Sequence, residues 1–479
     1  MNYSIIIKII GWVIQLEGVC FLPSAITGFL YGEVKDGLTY LALGGACILL
    51  GELIRRRKTT NNTFFAKEGF VAVALSWILM SIIGALPFVI TGDIPSFPDA
   101  LFEIISGLTT TGSSILKDVE ALSHANLLWR SFSHWIGGMG VLVFILAILP
   151  MTGGSTINIM KAESPGPSVG KLVPKMQRTA FLLYAIYFVM TVITFLFLLI
   201  GGMPLFDSLC HAFGAAGTGG FGIKNDSLAG YSVYLQNVLT VSMLLFGVNF
   251  TFFYYILIRK AKDAFRMEEV RWYFIIFFGA VALISACLIA KGGSVGDTIQ
   301  TVAFQVASIM TTTGYATTDF NLWPAFATAI MVCLMFVGAC AGSTGGGIKV
   351  SRVMIYLKQV KKELMQQIHP HRVRVIKMEG KALDHSVVHS CNTLLMTYIV
   401  IFTTSVLIIC LDKFDLVTNF TSVAATLNNI GPGLNVVGPT GNFSEFSVLS
   451  KFVFMFDMLA GRLEIIPLLV LFHPSTWKK

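Results

Sequence analysis

The chain has 479 residues, of which 55% are hydrophobic and only 13% charged, about half the ~25% of an ordinary soluble domain. So few polar side chains cannot cover a soluble surface of this size, and so much apolar surface excludes a disordered chain. The formal net charge of +8 gains meaning only when the charges are placed along the chain.

In chain order, apolar runs fall at about 5–31, 37–54, 68–92, 125–151, 178–201, 232–258, 271–291, 322–339, 348–357, 386–411 and 446–472. Most exceed the ~20 residues that cross a bilayer as a helix, which predicts a polytopic, all-α membrane protein. The run at 322–339 passes into VGACAGSTGGGIKV, with five Gly between Gly338 and Gly347, so one broken helix is predicted there. Ten spans result, with both termini on one side. The first run carries Lys8 and no A-x-A site, the pattern of an uncleaved first helix. The eight Cys form no CxxC and no metal-ligand spacing, and are expected in the core.

With the N-terminus inside, the outer segments carry 5 Lys/Arg and 14 Asp/Glu, and the inner ones 25 and 9. The Lys/Arg bias sets the orientation and predicts a cytoplasmic N-terminus. It accounts for the net charge through the lipid bilayer, with no nucleic-acid partner. The outer acids are expected to surround an acidic mouth that concentrates cations.

Four outer segments are longer than turns: FPDALFEIISGLTTTGSSI, MPLFDSLCHAFGAAGTGGFGI, VGDTIQTVAFQVASIMTTTGYATTD and KFDLVTNFTSVAATLNNIGPGLN. Each has an Asp near its start (Asp99, Asp207, Asp297, Asp415), a short apolar stretch, then a Gly (Gly112, Gly220, Gly314, Gly431). The Asp-to-Gly distances are 13, 13, 17 and 16, suggesting an extra helical turn in the last two. A unit of span, short helix, strip and span thus repeats four times. The expected divisions are an N-terminal hairpin at 1–54 and repeats at 55–165, 166–262, 263–375 and 376–479.

Irregular backbone at membrane depth is tolerated only where protein or a water-filled cavity surrounds it. Four strips around one axis would offer backbone carbonyls to a common centre, as a potassium filter does when carbonyls replace the hydration shell of the ion. The predicted ligands are the carbonyls of Thr110, Thr111 and Gly112; Thr218, Gly219 and Gly220; Thr312, Thr313 and Gly314; and Asn429, Ile430 and Gly431. The ion is cargo, and no organic cofactor is expected on the chain.

These segments, with GACAGSTGGGIKV, LAGRLEI, HWIGGMG (His134–Gly140) and AESPGP (Ala162–Pro167), resemble the Trk/Ktr/HKT superfamily, and specifically the membrane subunit of bacterial Trk potassium-uptake systems. The resemblance implies potassium uptake across the bacterial inner membrane, with Gly112 marking potassium selectivity where a Ser would mark sodium. It also implies a homodimer and a cytoplasmic TrkA-like regulatory ring that binds NAD(H) or ATP/ADP.

The break at Gly338, Gly342, Ser343, Thr344, Gly345, Gly346 and Gly347 is expected to lie across the pore below the filter, as the gate does in that family. It lacks the spacing of a P-loop, because Ile348 separates Gly347 from Lys349. Arg462, well inside the last span, must face a partner or water; it is expected to bond gate-loop carbonyls and add a cationic barrier. Arg130 and His134 are expected to be structural. The basic stretch Lys349–Lys381 is expected to anchor to lipid or dock the ring. A sodium- or proton-coupled symporter is the competing reading, disfavoured because all four units run in the same orientation. Inverted repeats are the common transporter pattern.

Overall fold

A computed structural model describes residues 1–56, 65–140, 176–370 and 375–477. The motif at 162–167, the inner end of the predicted span 125–151 and the basic residues Arg372 and Arg374 lie outside them.

Helices α1 (Tyr3–Cys20), α2 (Leu22–Leu30) and α3 (Val34–Arg55) form the N-terminal hairpin. Its helices approach closely where glycines face each other. A Cβ on Gly18 would lie 2.7 Å from the Gly44 carbonyl oxygen, and one on Gly11 3.0 Å from that of Gly51. Small residues at such crossings are the usual means of packing helices in lipid, where no hydrophobic force joins them.

Four units follow. Each opens with a long helix: α4 (Ala66–Thr91), α7 (Met176–Ile200), α12 (Glu268–Ile289) and α16 (His385–Ile409). Among the described residues six helices are long and apolar enough to cross a membrane, these four and the two arms of the hairpin. Each unit then folds a short helix: α5 (Phe97–Leu108), α8 (Leu205–Gly217), α13 (Val295–Met310) and α17 (Leu416–Leu427). Their lengths of 12, 13, 16 and 12 residues place the extra turn in the third only. The fourth matched it in Asp-to-Gly spacing because Asp415 caps its helix from outside, accepting from the Thr418 N–H, whereas Asp99, Asp207 and Asp297 lie in the first turn.

The second spans depart from expectation. One break was predicted, in the third unit, yet among the described residues the second spans of the second and fourth units are broken as well. In the first unit, helix α6 (His124–Gly138) stops at its glycines. In the second, α9 (Val233–Phe246) and α10 (Phe250–Leu257) meet at 91°. In the third, α14 (Ala325–Val337) and α15 (Val350–Ile368) flank the predicted loop. In the fourth, α18 (Val448–Arg462) and α19 (Ile466–Phe472) are separated by Leu463, Glu464 and Ile465, the last two at positive φ. Helix α11 (Ala261–Arg266) joins the second and third units. A hairpin of strands β1 (Lys377–Met378) and β2 (Lys381–Ala382) precedes the fourth. Ser123, Ser232 and Ser447 cap three of the second spans, their hydroxyls accepting from backbone N–H groups three residues on.

Candidate functional site

The four short helices end in the same way. The N–H groups of Thr111, Gly219, Thr313 and Ile430 donate to carbonyls five residues back, on Ser106, Gly214, Ser308 and Ala425, at 2.8–2.9 Å. The residue before each donor (Thr110, Thr218, Thr312, Asn429) has φ between 53° and 60°. This is the left-handed closure usually given to glycine. A side chain there costs about 1–2 kcal/mol, so its presence at all four positions points to a use for the side chain. Two residues further on, Gly112, Gly220, Gly314 and Gly431 also have positive φ, from 73° to 100°.

These glycines place the strips relative to one another. A Cβ on Gly112 would come within 3.0 Å of the Gly219 carbonyl oxygen, and one on Gly220 equally close to that of Thr313. The same holds for Gly314 against Ile430, and for Gly431 against Thr111. Each strip therefore abuts the carbonyl of the next, and the fourth contact closes the ring. All twelve residues predicted for the filter belong to it. The negative ends of the four helices converge on it, which favours a cation. On the outer side the four glycines line a cavity of about 200 Å³.

The ring is braced by buried polar groups. Glu103 on α5 accepts from the Ser114 hydroxyl and the Ile115 N–H, at 2.9 and 3.0 Å, on the outgoing limb of the first strip. It pairs with Arg130 at 2.5 Å, both side chains at most 3% exposed. Arg130 donates to the Gly222 carbonyl at 2.7 Å and lies 3.6 Å from the centre of the Phe221 ring, both in the second strip. His134 accepts the Phe221 N–H on Nε2, so its Nδ1–H donates to the Gly107 carbonyl at 2.7 Å; the ring is neutral and structural. Thr109 and Thr111 share a hydroxyl contact of 2.8 Å, matched by Thr311 and Thr313 at 2.7 Å. Asn429 donates to the Thr111 hydroxyl and the Met458 carbonyl, both at 2.9 Å.

The Gly-rich loop lies directly beneath. Gly338 and Gly347 pinch its ends together, a Cβ on Gly338 falling 2.6 Å from the Gly346 carbonyl oxygen. The Gly346 N–H donates to the Thr312 hydroxyl at 2.6 Å, and Gly345 abuts the Thr311 carbonyl. Gly342 accepts from the Phe250 N–H at 3.0 Å, and the Thr344 hydroxyl donates to the Phe246 carbonyl at 3.2 Å, fixing the loop to the break in the second unit. Among the described residues the Ser343 hydroxyl bonds within the loop, donating to the Cys340 carbonyl. Arg462 reaches under the ring. It donates to the Thr344 carbonyl at 2.8 Å, to those of Gly137 and Gly138 at 2.5 and 2.6 Å, and to the Thr110 hydroxyl at 3.3 Å.

Several residues of this site carried no sequence signal. Glu269 accepts the N–H groups of Ala341 and Ser351, at 2.7 and 3.1 Å, tying both ends of the loop. Lys349 is 2% exposed and donates to the Gly345 carbonyl. Arg352, also buried, pairs with Glu464 at 2.6 Å. Lys349 therefore serves the loop and Arg352 the turn between α18 and α19, which takes both out of the expected docking surface; Lys361, Lys377 and Lys381 remain exposed.

The acidic mouth is also corrected. The charged residues lining the outer cavity are Lys117, Arg130 and Lys224, all basic. Glu445 pairs with Lys117 at 3.7 Å, and Asp118 and Glu120 accept from Asn225, at the cavity wall; other acids are engaged elsewhere. Asp99 pairs with Lys451 at 2.7 Å, Glu33 takes the N–H groups of His124 and Ala125, and Asp93 takes that of Ser123. Asp415 is bonded by Thr418, which holds its carboxyl below the usual range. Charge counts do not place carboxylates at a cavity, because helix N-termini and buried cations claim carboxylates that open water would otherwise solvate.

Four inward-pointing helices that end in one closed ring of backbone strips, within a bundle of membrane-length helices, define a cation transporter of the repeated pore-loop class. The model of the TrkH family, described as cation transport protein, matches residues 40–479, and the chain belongs to that family. It is 35% identical to the Trk system potassium uptake protein TrkH of Salmonella typhimurium and 31% identical to TrkG of Escherichia coli, each alignment covering 100% of both chains. The crystal structure of the potassium transporter TrkH from Vibrio parahaemolyticus superposes with a TM-score of 0.88, at 31% identity and over 100% of both chains.

Proposed function

We propose that the chain takes up potassium across the bacterial inner membrane through the four-strip ring, with the loop 338–347 as its gate. The observation that carries this reading is the closed cycle of glycine-to-carbonyl contacts, which surrounds one axis with backbone oxygens. Carbonyls held this way can replace the water of a dehydrated ion, and selectivity then rests on their number and field. The basic groups under the ring, Arg462 and Lys349, bond loop carbonyls and hold the loop across the path.

The relatives are named as parts of a Trk potassium-uptake system, which supports assembly with other components. The motif resemblance supports a homodimer with a cytoplasmic nucleotide-binding ring, and the inner Lys/Arg excess supports a cytoplasmic N-terminus. The test is isotope flux into liposomes holding the purified chain, with Gly112→Ser beside the native protein. The expected result is potassium flux that needs no sodium or proton gradient, and a lowered potassium-over-sodium ratio in the variant. Flux that requires either gradient, or an unchanged ratio, refutes the reading.

A further inference from the structure

The aspartate near the start of each short helix has a donor from a different element in three of the four units. Asp99 pairs with Lys451 of α18 at 2.7 Å, Asp207 accepts the Tyr231 hydroxyl at 2.8 Å, and Asp415 accepts the Asn435 amide at 2.9 Å. Asp297 of the third unit differs. Among the described residues it accepts only from the hydroxyl of Ser294, the N-cap of its own helix, at 2.7 Å. In place of a protein donor it lines a cavity of about 650 Å³, where α12 ends and α13 and α14 begin. Lys291 and Trp323 line the same cavity. Lys291 and Asp297 carry opposite charges yet do not pair, and among the described residues the Trp323 indole N–H has no acceptor. The last turn of the membrane-length helix α12 borders the cavity through Leu288, which sets it at the level where acyl chains give way to headgroups. Its wall is apolar on one side: Leu322 is 85% exposed. A Trp with a free N–H is the side chain favoured at that depth.

We infer that this cavity is a site for a zwitterionic phospholipid with a primary ammonium headgroup, phosphatidylethanolamine. Its ammonium donates to Asp297, its phosphate accepts from Lys291 and the Trp323 N–H, and its acyl chains lie along Leu322. The headgroup thereby supplies to Asp297 what Lys451, Tyr231 and Asn435 supply to its counterparts. Opposite charges that share a cavity without meeting suit a ligand that carries both signs in the reverse order. Phosphatidylglycerol brings the phosphate but no cation for the carboxylate. Phosphatidylcholine brings a cation with no N–H, whose methyl groups keep its charge away from the carboxylate oxygen. The site is separate from the ion path: α13 has 16 residues, which puts Asp297 about 20 Å along the helix axis from the third strip.

The test is native mass spectrometry of the full-length chain in detergent, titrated with phosphatidylethanolamine, phosphatidylcholine and phosphatidylglycerol of identical acyl chains. The native protein should retain phosphatidylethanolamine about two- to fivefold more tightly than either of the others, the size of an exposed charge pair. Asp297→Asn should bring phosphatidylethanolamine down to the level of phosphatidylcholine. Lys291→Gln should weaken retention of all three lipids, because all three carry the phosphate. Soluble glycerophosphoethanolamine at the same concentration should leave the bound lipid in place, since it lacks the chains that Leu322 receives. Equal retention of the three lipids by the native protein overturns the inference, and that comparison needs no variant to fold. A preference for phosphatidylethanolamine that survives in Asp297→Asn overturns it as well. Displacement of the lipid by the soluble headgroup overturns the bilayer as the source of the ligand.

Discussion

Arg462→Gln tests whether the guanidinium keeps the gate shut. Among the described residues the native side chain donates to four groups, and the bond to the Thr344 carbonyl, at 2.8 Å, crosses to the loop. Those to Gly137 and Gly138 bind the end of α6, and the one to Thr110 binds the ring. A hydrogen bond from a charged donor contributes about 1.5–3 kcal/mol net. Losing the crossing bond should therefore shift the closed-to-open ratio about tenfold to a hundredfold, at about 1.4 kcal/mol per decade. The loop keeps its ties to Glu269, Lys349 and Thr312, so the fold should survive. Arg462→Lys retains the charge but is a compact point donor without the planar fork, and should fall between. The assay is potassium isotope flux into liposomes without any regulatory subunit, with thermal unfolding in detergent as the folding control. Basal flux within twofold of native in a folded Arg462→Gln protein, outside the about tenfold minimum, would refute the reasoning.

Three further outcomes follow from the same geometry. Arg130→Met leaves Glu103 charged and buried without its partner, and should cost about 3–5 kcal/mol, read as a lowered melting temperature; Glu103→Gln combined with Arg130→Met should recover part of it. Glu269→Ala frees both ends of the loop and should raise basal flux, whereas Glu269→Gln keeps an oxygen able to accept from Ala341 and Ser351 and should stay near native; equal fluxes in the two would show that the tie does not act through the loop. Lys117→Gln with Lys224→Gln removes positive charge from the mouth and should speed uptake at low potassium, with the difference vanishing at about 1 M salt, where the Debye length falls to about 3 Å.

What the sequence carried is what repeats. Glycines in register with the hydropathy pattern located the strips, and the density of Gly in 338–347 located the loop, because both need backbone freedom that few other residues supply. The break in the second span of the fourth unit was hidden for a related reason. The turn at Leu463–Glu464–Ile465 contains no glycine, and its apolar flanks report depth in the membrane, not continuity of the helix. Pairings such as Glu103 with Arg130, and Glu269 with the loop, join residues on different helices at separations from 27 to 82, where no periodicity connects them. Arg462 was legible as a charge needing a partner, and among the described residues its partners are the Thr110 hydroxyl and three carbonyls, which any residue can supply.

The same comparison shows why the ring need not be fourfold. Its backbone is: four left-handed closures, four glycines and four contacts to the next carbonyl. Its side chains follow the diagonal. The first and third strips share the TTTG sequence and the paired threonine hydroxyls. Nine residues before their glycines stand Glu103 and Gln305, which both bond the outgoing limb of their own strip. The second and fourth carry His211 and Ser422 there; His211 contacts Tyr315 of the third strip, and Ser422 bonds back into its own helix. On the transport reading proposed above, an ion on the axis is held by backbone carbonyls, so it senses the fourfold part. A gate needs the opposite, because one loop from the third unit must be latched by one arginine from the fourth, and four equivalent loops would collide beneath a single axis. Conduction therefore constrains the backbone of all four units alike, while gating is what allows their side chains to diverge.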